Sequence, residues 1–132
     1  MEQIEVVVVW LPTASQRKKV IASLAHSGNG STDGTFVYTG FKPAWVMVKQ
    51  TNTTGNWHIH NNKTIGYNPA NYYLEANLTN TEATPERIDL LSNGFKQRST
   101  GGSWNASGGS FIYMAFAESP LVGTNNIPAT AR

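Results

Sequence analysis

His58 and His60 stand two residues apart in a short run, Trp57 to His60, that reads as a strand between Asn-rich turns. On extended backbone that spacing sends both imidazoles out of one face. A pair so placed is a start on a metal site, with His26 left in the chain as a third ligand. Zinc is the ion such ligands suit. No carboxylate lies close to the pair in sequence, so the favoured reading is two solvent-facing histidines, with no metal and no other cofactor.

Carboxylates offer a second kind of chemistry. The acids are Glu2, Glu5, Asp33, Glu75, Glu82, Glu86, Asp89 and Glu118. Two of them flanking a glycosidic bond would make a polysaccharide-degrading enzyme. Most fall in loops or turns, where a solvated charge needs no special role; Asp89 and Glu118 fall on predicted strands and are the pair whose surroundings matter. The chain carries no nucleophile elbow, phosphate-binding glycine loop or metalloprotease helix. The expectation is a protein without catalytic residues.

Aromatic rings beside amides are the third pattern. Trp57, Trp104, Tyr67, Tyr72 and Tyr73 lie in or next to polar turns, accompanied by Asn56, Asn61, Asn68, Asn71 and Asn105. An exposed ring packs on the C–H face of a pyranose while neighbouring amides bond its hydroxyls. The same residue types are enriched at protein interfaces, and rings of this size also fill cores. Trp45 and Phe41 read as core. For Trp57 and Trp104 the core and ligand readings stand level. The predicted ligand set is Trp57, Trp104, Tyr67, Tyr72, Asn56, Asn61 and Asn105. Asn-x-Ser/Thr triplets at Asn29, Asn52, Asn62, Asn77 and Asn105 read as chance matches in an Asn- and Thr-rich chain.

The elements that must hold these residues are short strands. Apolar runs at Ile4–Trp10, Thr35–Thr39, Ala44–Gln50, Trp57–His60, Tyr72–Leu78, Arg87–Leu91, Phe95–Arg98 and Ser110–Glu118 are separated by Gly, Asn, Ser and Pro clusters. Ser92-Asn93-Gly94 is a hairpin signal. Ser110–Glu118 is apolar on both faces, which predicts a central strand covered on both sides. Helical spacing is confined to Ala14–Ala25, where a strand over Lys19–Leu24 competes. The predicted fold is all-β, an antiparallel, jelly-roll-like β-sandwich with at most one short helix near the N-terminus. The loops at 55–70 and 79–86 are expected at the surface, and the tail 123–132 is expected to be extended.

Bulk properties bound the rest. A length of 132 residues predicts one domain spanning the chain, able to bury roughly two thirds of its unfolded surface. Cysteine is absent, which excludes disulfides and thiolate metal sites. Charged residues are 14% of the chain, below the ~25% of ordinary domains, so neutral polar side chains do the solvating. A net charge of +2 argues against a nucleic-acid partner, and Arg17-Lys18-Lys19 reads as a solvated turn. The run Val6–Leu11 is too short for the ~20 residues of a membrane helix. The acidic start Met1-Glu2-Gln3-Ile4-Glu5 does not look like a secretory signal.

Four segments carry a family resemblance: Gly28-Asn29-Gly30-Ser31; Tyr38-Thr39-Gly40-Phe41-Lys42-Pro43-Ala44-Trp45-Val46-Met47-Val48-Lys49; Leu91-Ser92-Asn93-Gly94-Phe95-Lys96; and Asn105-Ala106-Ser107-Gly108-Gly109-Ser110-Phe111-Ile112-Tyr113-Met114-Ala115-Phe116-Ala117-Glu118-Ser119-Pro120. They resemble a domain of tail-associated and other appendage proteins of tailed bacteriophages, of a type common in marine viral sequences. The likeness runs over about residues 26–132. Residues 1–25 depart from the pattern and are read as a replacement edge strand or an oligomer contact. The resemblance implies a virion structural role, including host recognition, and carries over no catalytic residues. It implies partners too: the chain itself, as a homotrimer, other virion proteins, and a host-surface glycan. The expected location is the virion, with synthesis in the host cytoplasm and release by lysis. A capsid decoration or connector that binds only virion proteins is the alternative.

Overall fold

A computed structural model describes residues 21–84 and 87–117. Eight strands and one helical turn occur among them: β1 Ile21–Ser27, β2 Phe36–Tyr38, β3 Pro43–Gln50, β4 His58–Asn61, β5 Leu74–Glu75, β6 Ile88–Leu91, β7 Gly94–Gln97, α1 Gly102–Asn105 and β8 Ser110–Ala117. They form two antiparallel sheets, one of five strands in the order β1-β8-β3-β4-β5 and one of three in the order β2-β7-β6. The fold is all-β, two sheets packed as a sandwich.

β8 sits between β1 and β3, in register from Ile21↔Phe116 to Ser27↔Ser110 on one side and from Trp45↔Phe116 to Gln50↔Phe111 on the other. Its alternation turns Phe111, Tyr113 and Ala115 inward, level with Val46 and Val48 of β3. Facing them from the smaller sheet are Val37, Ile88, Leu90 and Phe95, and together these residues make one core cluster. The Phe95 and Tyr113 rings meet edge to face across the sandwich, centroids 5.1 Å apart. Burying each such side chain stabilises the fold by about 2 kcal/mol. Pro43 opens β3, where a missing N–H is tolerated.

The β6–β7 hairpin closes with Leu91 opposite Gly94, so Ser92 and Asn93 form the turn. Gly94 serves another purpose. A methyl group there would collide with the Val37 carbonyl, and the Phe36 ring lies over the same spot. The glycine lets β2 approach β7, and the cross-strand ring covers the gap its side chain leaves. On the other flank, Ala70 exchanges two backbone bonds with Ile88 (2.7 and 3.1 Å). The Asn68 amide does the same with Leu90, donating to its carbonyl (3.0 Å) and accepting from its N–H (2.9 Å). A side-chain amide thus continues the edge ladder of β6.

Several expectations change. Over Ile21–Ala25 the chain is strand, not helix: β1 pairs with β8 at seven positions from Ile21 to Ser27, and that ladder outweighs a short helical period. The helical turn that is present, α1, lies near the other end of the described chain and follows Ser99-Thr100-Gly101. The strand predicted at Tyr72–Leu78 contracts to Leu74–Glu75, because Leu78 N–H turns back onto the Glu75 carbonyl (3.1 Å). Trp45 is not between the sheets. It lies half-buried on the outer face of the larger sheet, edge-on to Phe116 at 5.2 Å. Among the described residues no second layer lies on that outer face, and Met114, in the middle of β8, is 36% exposed. The predicted strand at Ile4–Trp10, the early part of the predicted helix and the tail 123–132 lie outside the described residues.

Gly94→Ala should lower stability by about 2 kcal/mol or more, the cost of overpacking a close backbone approach. Gly102→Ala, with open space around its position, should stay within about 0.5 kcal/mol of the parent. Urea midpoints of the two variants against the parent measure both.

Candidate functional site

β4 turns His58 and His60 inward, in register with Val48 and Val46 of β3. α1 brings Trp104 down onto both imidazoles, with centroids 4.0 Å from His58 and 4.7 Å from His60. Tyr73 closes the box, 5.0 Å from Trp104 and 5.8 Å from His60. The turn that makes this possible is short: Trp104 and Asn105 N–H groups both bond the Gly101 carbonyl (3.1 and 3.0 Å). Trp104 is therefore core, and its predicted role as an exposed ligand contact is corrected.

The histidines are corrected as well, since neither faces solvent. Burial in this aromatic box pushes the His58 pKa down to about 4 and that of His60 to about 3. Glu75 and Lys49 act on His58 in opposite directions, Glu75 raising it and Lys49 lowering it, and both are outweighed by desolvation. His60 Nδ1 lies 3.2 Å from the Tyr72 carbonyl. A carbonyl only accepts, so the neutral ring carries its proton on Nδ1. His26 is on a different strand, stacked on Phe111 at 5.3 Å, and burial lowers its pKa to about 4. Among the described residues no group of three His, Asp or Glu side chains is gathered for a metal.

Asn105, also predicted as a ligand contact, is fully buried and holds the loop 28–34 in place. Its Nδ2 donates to Asn29 Oδ1 (2.8 Å) and to the carbonyls of Ser31 (2.8 Å) and Ser99 (3.2 Å). Its Oδ1 accepts from Asn29 N–H (3.1 Å) and its carbonyl from Gly30 N–H (2.7 Å). Asn61 is likewise engaged: its Oδ1 accepts from the N–H groups of Lys63 (2.8 Å) and Thr64 (2.9 Å), fixing the turn after β4. Asp89 pairs with Arg98 (3.2 Å), which also reaches Asp33 (3.2 Å). Lys96 lies 2.6 Å from Asp33 and holds that carboxyl below the usual range. Glu118 lies outside the described residues.

What remains exposed gathers at the β4–β5 edge. Trp57 precedes the inward His58 and is 37% exposed. Beside it runs a chain of amides on one carboxylate. Asn56 Nδ2 donates to Glu75 Oε1 (2.7 Å), Asn80 Nδ2 to Glu75 Oε2 (3.1 Å), and Asn77 Nδ2 to Asn56 Oδ1 (3.0 Å). Asn77 Oδ1 accepts the Trp57 N–H (2.9 Å). A carboxamide has two N–H groups, so each of the three amides keeps one beyond the bond just given. Tyr72 is exposed at the other end of the same strand pair, and Tyr67 earlier in the loop that joins β4 to β5.

Asn56, half-buried with one N–H uncommitted, and the exposed Trp57, Tyr72 and Tyr67 thus stay open to a binding role. Glu75, Asn77 and Asn80 join the first two and were missed in the sequence. They lie about twenty residues downstream, and only the cross-strand pair His58↔Glu75 brings them near.

The profile of a domain of unknown function, DUF7483, matches residues 22–120. The chain belongs to that family. The match takes in every described strand except the first residue of β1. No curated protein and no solved structure matches the chain. The amide-and-tryptophan edge and the histidine box both lie within the DUF7483 region.

Acid should destabilise this DUF7483 domain through its histidines. Each has a folded pKa below its unfolded value of 6.5, so the unfolded chain binds more protons below that pH. Stability is full above pH 6.5 and falls as the pH drops from 6.5 toward 4, with up to about 1.4 kcal/mol lost per unit for each imidazole. Urea midpoints measured from pH 8 to pH 4 should hold level and then fall across that window. A flat profile down to pH 4.5 would mean that the histidines are not buried neutral.

Proposed function

We propose that this domain is a non-enzymatic recognition module of a tailed-phage virion appendage, and that its β4–β5 edge takes a neutral host-surface glycan. The observation that carries the reading is Trp57, held open to solvent beside the Asn56–Glu75–Asn77–Asn80 network. A ring face and spare amide N–H groups are what a pyranose requires: C–H groups to stack and hydroxyls to bond. Glu75 is occupied by two amide donors, which suits it to orient Asn56 and Asn80 and not to attack a substrate. The phage assignment rests on the sequence resemblance over residues 26–132. Assembly as a homotrimer with other virion proteins is the arrangement that resemblance implies, and repetition would raise the avidity of a weak site.

A second reading, a capsid decoration or connector that binds only virion proteins, draws on a different observation. The outer face of the five-stranded sheet is apolar, with Met114 and Leu74 exposed on it.

A glycan array probed with the intact chain should give binding to neutral glycans. Trp57→Ala should weaken it about thirtyfold, the loss of an aromatic anchor worth ~2 kcal/mol. Silence across the array from a folded protein would remove the recognition reading and leave the structural one.

A further inference from the structure

The amide network at the β4–β5 edge runs in one direction. It starts at the Trp57 backbone N–H, which Asn77 Oδ1 accepts (2.9 Å). Asn77 Nδ2 donates in turn to Asn56 Oδ1 (3.0 Å), and Asn56 Nδ2 to Glu75 Oε1 (2.7 Å). Asn80 Nδ2 reaches the other carboxylate oxygen (3.1 Å). A backbone N–H only donates, and a carboxylate only accepts. With those groups at its two ends the chain has one consistent polarity. Turning over the Asn56 or Asn77 amide would set donor against donor or acceptor against acceptor, and the carboxylate orients Asn80 in the same way.

The result is a surface of donors. Oδ1 of Asn56, Oδ1 of Asn77 and both Glu75 oxygens already accept bonds within the network, while each of the three amides keeps one N–H uncommitted. Asn77 and Asn80 are exposed, so their remaining N–H groups are open to solvent. The network holds one charge, that of Glu75.

We infer that this network reads an acetamido group, so that the glycan taken at the β4–β5 edge is built from N-acetylated amino sugars. The inference rests on the glycan reading above and narrows it to a sugar class. A row of N–H donors selects the strongest uncharged acceptor that a sugar can bring, and the acetamido carbonyl is that acceptor. A ring hydroxyl accepts more weakly and carries a hydrogen of its own, which the network is poorly placed to receive. The carboxylate of an acidic sugar accepts well but would be set against the Glu75 charge. An apolar contact for the acetamido methyl lies in the same turn: Leu78 is 43% exposed, and its N–H bonds the Glu75 carbonyl (3.1 Å).

Oligosaccharides that differ only at C2 test it: chitotriose against cellotriose, and N-acetylgalactosamine against galactose on one linker. The intact chain should bind an acetamido member about tenfold more tightly than its hydroxyl partner, roughly what one well-made hydrogen bond contributes. Asn77→Ala or Asn80→Ala should bring that ratio toward one. Partial unfolding would weaken both members of a pair alike and leave the ratio where it was. Equal binding within each pair, or binding confined to glycans that lack an acetamido group, overturns the inference and leaves the glycan reading standing. An acetamido preference that neither alanine variant moves also overturns it. A folded chain that binds no glycan overturns both.

Discussion

β8 is held by two antiparallel ladders at once, and the two sheets have their present relation because of where that places its side chains. Seven pairs to β1 and a comparable run to β3 fix its register. A slip of one residue would turn Phe111, Tyr113 and Ala115 outward and bring Ile112, Met114 and Phe116 in. The inward set is what meets Phe95, Val37, Ile88 and Leu90 of the smaller sheet. The same register sets Val46 and Val48 of β3, and through them His60 and His58 of β4. The β4–β5 edge is therefore located by a strand more than thirty residues further along the chain.

Beyond the hydrocarbon core, the described structure is organised by buried polar groups. Asn105 has five hydrogen-bonding contacts through its side chain and carbonyl, so loop 28–34 and the turn at α1 settle together. Burying an amide is costly unless it is satisfied, and here it is satisfied by backbone from two separate segments. The histidine box works differently. His60 has one bond, to the Tyr72 carbonyl, and otherwise the two imidazoles are met by ring faces. Neutral imidazole tolerates such surroundings; imidazolium does not. The box therefore couples the order of the β4–β5 edge to proton concentration. His58 is the link, packed under Trp104 with its Nδ1 3.8 Å from Glu75 Oε1, the oxygen that accepts the Asn56 amide.

The strands were largely legible in the sequence, and the roles of the polar residues were not. Runs such as Ala44–Gln50 and Ser110–Glu118 declare themselves because β-branched and aromatic residues between glycine and proline turns leave little else to form. Over Ala14–Ala25 helix and strand compete in the sequence because the helical period rests on only four residues, Val20, Ile21, Leu24 and Ala25; from Ile21 on, pairing with β8 decides for strand. Trp104 and Asn105 look like a surface motif in their Gly- and Ser-rich setting; only long-range contacts, Asn105 to Asn29 and Trp104 to His58, make them interior. His58 and His60 sit between Asn-rich turns, a composition that suggests water. Their two-residue spacing was read correctly as a shared face, but whether that face is wet depends on α1, some forty residues away. Glu75 was passed over for a similar reason, since nothing local distinguishes it from a solvated acid.

The contrast between the two exposed surfaces follows from strand position. β5 is two residues long and lies at an edge; past the bond from Ala76 N–H to the Trp57 carbonyl (2.8 Å) the ladder ends, and the side-chain amides of Asn77 and Asn80 carry bonding back to this edge. Those amides are fixed to one another and to Glu75 before any ligand arrives, so little ordering entropy remains to be lost on binding. A small polar ligand benefits most from that arrangement, because it has few contacts with which to offset such a loss. The sheet centre is the reverse case. β3 and β8 present their outer side chains on rigid, fully paired backbone, where polar bonding is already complete and only apolar contact is left to make. Edge and face thus differ in kind through the same strand order, the first offering uncommitted amide N–H groups and the second apolar side chains.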